Sequence, residues 1–175
     1  EDRGTSERCI VGFNSGPPFT PSLHNNNVQI FQNTDTAVIM TEMIHDACIV
    51  RLGDNPELSD DIRLWSGDSR GWYEGDILTV ETVNISPLQM SQSSIPISPE
   101  GKFTEQFTRY SDTEIVYQFT VDDPNLYSQP WTAEMSYHET EGPLYEYACH
   151  EGNYAMRGIL AGARRQEAEE AAKQQ

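Results

Sequence analysis

Hydrophobic and polar residues alternate with a period of two along most of the chain after residue 27. A period of two places successive side chains on opposite faces of a strand, so these short runs predict β-strands rather than helices. Gly, Asn, Asp and Ser residues separate many of the runs at the spacing of hairpin turns. The pattern predicts about ten strands, over residues 28–32, 37–44, 47–52, 62–66, 71–74, 77–84, 103–110, 114–121, 131–138 and 145–148.

The strands follow one another without intervening helices, which predicts one mainly β domain over residues 28–150 with an antiparallel sheet. A twisted sheet of about 8–10 strands tends to curl or close on itself. We therefore expect either an up-and-down barrel or a strongly rolled meander sheet. Residues 1–27 are rich in Gly, Pro and Asn, so they are predicted to form an irregular N-terminal arm.

The composition changes at the C-terminal end to residues that favour helices. Asn153 or Gly152 can cap a helix that continues towards the end of the chain, so residues 151–175 are predicted as a C-terminal α-helix. Its second half is polar on all sides. Its first half carries an apolar stripe that we expect to dock on the barrel, formed by Met156, Ile159, Leu160 and Ala163.

The charge of the chain limits its partners. The 175 residues include 28 acidic and 11 basic side chains, which gives a formal net charge of −17 at pH 7. Nucleic acids and anionic membrane surfaces would repel such a protein, so neither is an expected partner. No apolar run approaches the roughly 20 residues that a membrane-spanning helix requires, so no direct membrane span is expected.

Three cysteines show none of the close paired spacings of zinc or thioredoxin-type sites. Cys48 lies in a strand-like apolar run, where a free thiol behaves as a small hydrophobic group. Cys9 and Cys149 lie beside polar residues at the ends of predicted elements. We predict a Cys9–Cys149 disulfide that closes a loop of about 140 residues and indicates an oxidising compartment.

The segment Gly-Asp-Ser-Arg-Gly at residues 67–71 resembles the Gly-Asp-Ser-Gly-Gly motif of chymotrypsin-like proteases. Those enzymes need a histidine and an aspartate well upstream on a double barrel, and too little chain precedes Ser69 for that fold. We therefore predict a hairpin turn anchored by Trp65 and Trp72, with no catalytic residue. Asp68 and Arg70 at this turn are the candidate partner-contact residues.

Glu105 alternates with aromatic residues on a predicted strand, and Arg109 shares the same face by parity. One interpretation is an acid–base or ligand-orienting cluster in a barrel mouth, and the other is a buried ion pair. Aromatic residues on three successive strands line that face as a core or as the wall of an apolar pocket. The candidate ligand-binding residues are Glu105, Phe107, Arg109, Tyr117 and Trp131.

Carboxylates and histidines give weaker signals. Carbohydrate hydrolases use two carboxylates at a defined separation. Such residues occur inside predicted strands at Glu42, Glu81, Glu105, Glu134 and Glu146. The four histidines lack the short spacings of metal ligands, so no metal site and no cofactor are predicted. A weak calcium site is the one alternative left open, in the acidic loop containing Asp54, Asp60 and Asp61.

Four blocks of the chain resemble a large family of uncharacterised bacterial proteins that carry signal peptides. They are ERCIVGFNSGPPFTP, GDSRGWYEGDILTVET, FTVDDPNLYSQPWTAE and YEYACHEGNYAMRGILAGAR. The resemblance implies export to the periplasm or the cell exterior, and it implies no catalytic residues. It also agrees with the pairing of Cys9 and Cys149. Members carry a longer N-terminal portion, so we expect further residues ahead of Glu1.

Three functions follow from these observations. The leading hypothesis is a non-catalytic interaction or structural subunit outside the cytoplasm, docked into a larger protein assembly, for example on the outer face of a membrane complex. The alternative is a lipocalin-like barrel that binds or transforms a small hydrophobic molecule. Residues 73–83, 107–109 and 117–121 are similar to lipocalin-like single-domain barrels, and this likeness concerns the fold alone. The third is a secreted carbohydrate-active hydrolase.

Overall fold

One curled sheet organises the computed structural model, which describes residues 3–54, 56–90 and 94–173. A 3₁₀ turn, Met43–His45, follows the second strand, and a short helix, α1 (Pro87–Met90), follows the fifth. A long helix, α2 (Tyr154–Lys173), ends the described chain. The strands in the described residues are β1 (Val28–Gln32), β2 (Thr36–Thr41), β3 (Ala47–Leu52), β4 (Asp68–Glu74), β5 (Ile77–Val83), β6 (Lys102–Arg109), β7 (Glu114–Asp122) and β8 (Trp131–His138).

The strands lie side by side in chain order, with β1 and β8 at the two ends of the sheet. All neighbours are antiparallel except β3 and β4, which are parallel. The prediction of a mainly β, strongly rolled sheet is confirmed, since the sheet curls into a half-barrel. The crossover is residues 53–67, the connection that returns the chain from β3 to β4. The predicted strand at 62–66 is wrong because this segment belongs to that connection, where Leu64 makes only an isolated bridge to Ile85. The predicted strand at 145–148 is also wrong.

Alternate side chains of the strands meet on the concave side of the half-barrel. Burying each large apolar side chain there contributes roughly 1.5–3 kcal/mol. Inward residues of five strands are no more than 5% exposed, namely Ala37, Ile39, Cys48, Val50, Leu78, Val80, Phe103, Phe107, Tyr117, Phe119 and Val121. The half-barrel does not close, so another part of the chain has to cover this concave apolar face and exclude water from it.

The N-terminal arm provides part of that cover. It contains no helix or strand in residues 3–27, as predicted, yet it packs into the fold. The side chain of Phe19 is 1% exposed, and its ring centroid lies 6.4 Å from that of Phe107 and 6.3 Å from that of Tyr117. Gly16 has φ +76°, and a Cβ at this position would lie 2.5 Å from the Phe19 ring. The arm is therefore part of the hydrophobic core.

The C-terminal helix is attached to the arm rather than to the sheet. Cys9 and Cys149 form the predicted disulfide, with their Cα atoms 5.8 Å apart. The side chain of Asn153 accepts a hydrogen bond from the N–H of Met156 (3.1 Å) and donates one to the carbonyl of Glu7 (2.8 Å). The first interaction caps α2 and the second ties its start to the arm.

The predicted docking of the α2 stripe on the barrel is wrong. None of the residues described for α2 is buried, and Leu160 is 43% exposed. The arm covers part of the concave side of the sheet, and the start of α2 is attached to the arm instead. Among the described residues, no helix has both the length and the apolar character needed to cross a bilayer.

We expect Phe19→Ala to lower the free energy of unfolding by about 3–5 kcal/mol, because it removes a buried aromatic ring and leaves a cavity. Denaturant unfolding measures this change. Phe13→Ala is the matched control in the same arm, since Phe13 is 42% exposed. Equal losses for the two variants would contradict the placement of Phe19 in the core.

Candidate functional site

A buried carboxyl group lies at the centre of the concave face. Glu105 lies midway along β6, paired with Val80 on β5 and Phe119 on β7, and its side chain is 0% exposed. Its Oε1 accepts a hydrogen bond from the Tyr117 hydroxyl, whereas its Oε2 is buried without a hydrogen-bond partner among the described residues. Burial raises the pKa of Glu105 to about 7, although the Tyr117 hydrogen bond acts to lower it.

The same tyrosine connects this carboxyl group to the N-terminal arm. The N–H of Phe19 donates to the Tyr117 hydroxyl oxygen (3.0 Å), and the Tyr137 hydroxyl donates to the carbonyl of Phe19 (2.7 Å). Burial, and then the nearby Glu105 charge, raise the pKa of both tyrosines, so both hydroxyls keep their protons.

A thiol and two hydroxyls form a second polar group on the concave face. The Cys48 Sγ lies 3.2 Å from the Ser69 Oγ, which lies 2.8 Å from the Thr82 Oγ1. Burial raises the pKa of the Cys48 thiol to about 12, so the reactive thiolate is scarce at neutral pH. The groups that contact Ser69 are therefore a thiol and a hydroxyl, and neither can act as a general base for a serine nucleophile.

The expected pairing of Glu105 with Arg109 is wrong, and ligand binding by either residue stays a prediction. Arg109 ends β6 with 70% of its side chain exposed. It donates to the carbonyls of Ser111 (3.2 Å) and Asp112 (3.3 Å) instead of Glu105. Parity places both residues on one face, but four residues along a strand span about 13 Å, so Arg109 lies at the rim.

The other predicted ligand-binding residues do share the inward face. The rings of Phe107 and Tyr117 have centroids 4.9 Å apart. Trp131 begins β8, and its ring centroid lies 5.7 Å from that of Phe119. Its indole N–H is buried without a hydrogen-bond partner among the described residues. Sequence reasoning missed Phe19, which occupies the space against Phe107 and Tyr117. Its apolar side chain within a polar, proline-rich segment was the available signal.

Asp68 lies in strand β4, so the expected exposed turn at residues 67–71 is wrong. Only 4% of its side chain is exposed. One carboxylate oxygen lies 2.5 Å from the Arg51 guanidinium, and the other accepts a hydrogen bond from the N–H of Leu58 (2.9 Å). Asp68 therefore holds the crossover against the outer face of the sheet.

Arg70 is also engaged within the chain. Its guanidinium lies 2.5 Å from Glu57 on the crossover and 2.9 Å from Glu81 on β5. Glu81 also contacts Lys102 on β6 at 2.9 Å. Burial would raise the pKa of Glu81, but the hydrogen bonds and charges of Lys102 and Arg70 outweigh it and lower that pKa. The role of Asp68 and Arg70 as partner contacts stays a prediction.

The five candidate carboxylates do not pair across one cleft, and Glu42 and Glu146 lie outside the strands. Glu105 faces inward, whereas Glu81 and Glu134 face outward. Glu81 and Glu134 lie three strands apart, which corresponds to about 14 Å and exceeds the separation of about 10 Å or less that glycosidases use. Glu42 is bound to the Asn25 and Asn27 amides at 3.1 and 3.0 Å. Glu146 lies 4.0 Å from His45.

The acidic loop of the crossover gives no metal centre in the described residues. Asp54, Asp60 and Asp61 are all exposed. The described part of the chain contains no group of three or more His, Cys, Asp and Glu residues that could hold a metal ion. The structure therefore does not gather these three carboxylates into a calcium site.

Comparisons with known proteins found no match. No protein-family model, no curated protein and no solved structure matches the chain. The function has to be inferred from the contacts and surfaces of the chain itself.

We expect Asp68→Asn to lower the free energy of unfolding by about 2 kcal/mol or more, because it leaves the partly buried Arg51 cation without its counter-charge. Denaturant unfolding at neutral pH measures the effect. Asp112→Asn is the matched control, since the Arg109–Asp112 pair is fully solvated and its loss should leave stability unchanged. Unchanged stability of the Asp68→Asn chain would show that the Arg51–Asp68 ion pair does not stabilise the fold.

Glu105 predicts a specific pH dependence of stability. Its pKa is raised from 4.5 to about 7 in the folded chain, so the folded state binds more protons than the unfolded state between these values. The contribution of Glu105 to stability is therefore complete below pH 4.5 and is lost as the pH rises through 7, by about 3 kcal/mol in total. We expect the stability of Glu105→Gln relative to the natural chain to rise by this amount between pH 4.5 and pH 8.

Urea unfolding of both chains across that pH range measures the difference. A pH-independent offset from the new amide does not affect the test, because only the slope is compared. Glu134→Gln, at an exposed position on β8, should leave the slope unchanged. Identical slopes for Glu105→Gln and the natural chain would contradict a buried carboxyl with a raised pKa.

Proposed function

We propose that this chain is a non-catalytic interaction subunit that acts outside the cytoplasm and contacts its partner through helix α2. The observation that carries the proposal is the exposure of the helix. Its 20 residues include no buried side chain among those described. Isolated helices are marginal in water, so most protein helices depend on packing of an apolar face. A helix with this much free surface is suited to packing on another molecule.

The attachment of the helix supports the proposal. The Cys9–Cys149 disulfide fixes the segment just before α2 to the arm. The side-chain amide of Asn153 donates to the carbonyl of Glu7 and also lies 3.4 Å from the Cys9 sulfur. These contacts fix where the helix starts, and a fixed start reduces the entropy lost on binding.

The interior of the half-barrel favours this function over the two alternatives. A lipocalin-like site would need free space against Phe107 and Tyr117, and the Phe19 ring occupies that space. A carbohydrate hydrolase would need two facing carboxylates, whereas three strand spacings alone separate Glu81 and Glu134 by about 14 Å on the outer face. The hydroxyls of Tyr117 and Tyr137 instead bind the backbone of Phe19 and fix the arm.

The proposed compartment rests on the disulfide and on the resemblance to exported proteins. Disulfides persist in oxidising compartments such as the periplasm and the cell exterior, and they are rare in the cytosol. The Cys9–Cys149 bond is compatible with such a compartment. We therefore include export in the proposal.

Site-specific photocrosslinking tests this function. A photoreactive amino acid replaces Leu160 on α2 in cells that make the protein, and a second chain carries it at Asp76 in the β4–β5 hairpin. Both positions are exposed. We expect light to convert the Leu160 chain into a discrete species larger than 19.8 kDa and to leave the Asp76 chain unchanged.

Deletion of residues 154–173 provides the complementary measurement. The deleted chain should unfold at nearly the same denaturant concentration as the full chain, because none of the removed side chains is fully buried. The proposal fails if the Leu160 position gives no crosslinked protein, or only the diffuse products that the Asp76 position gives.

A further inference from the structure

The first half of α2 presents a basic surface with an apolar centre. Arg157 and Arg164 lie beside Met156 and Leu160, and Arg8 of the arm lies next to them around the same groove. None of these arginines has an ion pair within the described residues, and no acidic residue lines the groove. We call these five residues the basic helix face.

A groove of opposite charge lies at the rim of the half-barrel. It has a volume of about 610 Å³ and lies where the start of β1, the β6–β7 turn and the end of β8 meet. Apolar side chains contribute to its lining, among them Val28, Ile115 and Leu144. The acidic groove also carries four carboxylates, namely Asp112, Glu114, Glu139 and Glu141. Arg109 pairs with one of them, so three have no cation among the described residues.

We infer that the basic helix face of one copy docks into the acidic groove of a second copy of this chain. This inference rests on the proposed function, because it names the partner of α2. The two surfaces match in both respects that matter for helix-in-groove recognition. Met156 and Leu160 are apolar anchors on a helix, and the arginines beside them oppose carboxylates around an apolar lining.

The distribution of charge along the chain supports a second copy as the partner. Residues 9–153 contain 22 acidic and five basic residues, which accounts for the whole net charge of −17. The remaining residues contain six of each sign, and residues 154–166 contain three arginines and no acidic residue. Two copies therefore repel each other in most orientations and attract where the helix of one meets the acidic sheet domain of the other.

The tether explains why the helix does not occupy its own groove. The Cys9–Cys149 disulfide and the Asn153–Glu7 hydrogen bond fix the start of α2 beside the arm. A second copy has no such restriction. Two copies can also exchange helices reciprocally, which gives a closed twofold dimer in which both grooves are filled.

Sedimentation velocity of the purified, oxidised full chain tests the inference. We expect a monomer–dimer equilibrium over micromolar to millimolar concentrations. It should shift to monomer as the ionic strength rises from about 0.1 M to about 1 M, because the Debye length falls from about 10 Å to about 3 Å. Arg157→Glu with Arg164→Glu reverses the charge of the basic helix face. Glu139→Arg with Glu141→Arg reverses the charge of the acidic groove. Each pair should weaken dimerisation at least roughly tenfold.

Mixing the two reversed chains gives the decisive measurement. The charge-reversed helix of one chain then faces the charge-reversed groove of the other, and the two natural surfaces face each other. Association should therefore return in the mixture, while each variant chain by itself stays monomeric. Glu74→Arg with Asp76→Arg in the exposed β4–β5 hairpin is the matched control. It changes the net charge as much as the groove reversal does, but it should leave this interface intact. Circular dichroism and thermal melting check the fold of each chain. If the chain with Arg157→Glu and Arg164→Glu does not fold, Arg157→Gln with Arg164→Gln takes its place.

Three results would overturn the inference. They are a natural chain that stays monomeric at every concentration, dimerisation that survives the helix changes, and a mixture that does not associate. A monomeric chain whose Leu160 position still crosslinks to a different protein would leave the proposed function intact. A monomeric chain without any such crosslink would contradict both.

Discussion

The rest of the structure depends on the hydrogen bonds that hold Phe19 inside the half-barrel. The sheet leaves a concave apolar face open, and an irregular segment can cover it only if its backbone polar groups find partners. The hydroxyls of Tyr117 and Tyr137 bind the N–H and the carbonyl of Phe19 at 3.0 and 2.7 Å. Because Tyr117 also donates to Glu105, one buried carboxyl group takes part in the connection between the arm and the sheet.

The arm also fixes the position of the start of the C-terminal helix. The sheet fixes Phe19, the disulfide joins Cys9 to Cys149, and Asn153 both caps α2 and binds the arm. A cross-link that closes a loop of 140 residues stabilises a chain by about 4–5 kcal/mol in the chain-entropy model. The two ends of the chain therefore form one unit, although the helix itself is exposed.

The alternation of apolar and polar residues predicted β1, β3 and β8 with the bounds that the structure has, because a half-buried strand requires that period. It failed at 62–66, where Ile62 and Leu64 alternate with polar residues on the crossover but are each 45% exposed. The alternation of side chains along β6 placed Glu105 on the correct face. It could not show that Arg109 is exposed at the rim, because alternation carries no information on where a strand ends. Composition showed that residues 1–27 are irregular. It could not show that Phe19 is core, because Gly and Pro report local turns rather than packing.

The separation of charge and apolar surface limits how this protein can associate. The negative charge of the sheet domain makes the approach of two copies unfavourable in most orientations. Charged groups at the edge of an interface mainly set orientation and the rate of encounter, whereas stability comes from desolvated anchors. On α2 these two roles fall to different side chains. In the proposed dimer, Arg157 and Arg164 would select the acidic surface, and burial of Met156 and Leu160 would provide most of the binding free energy.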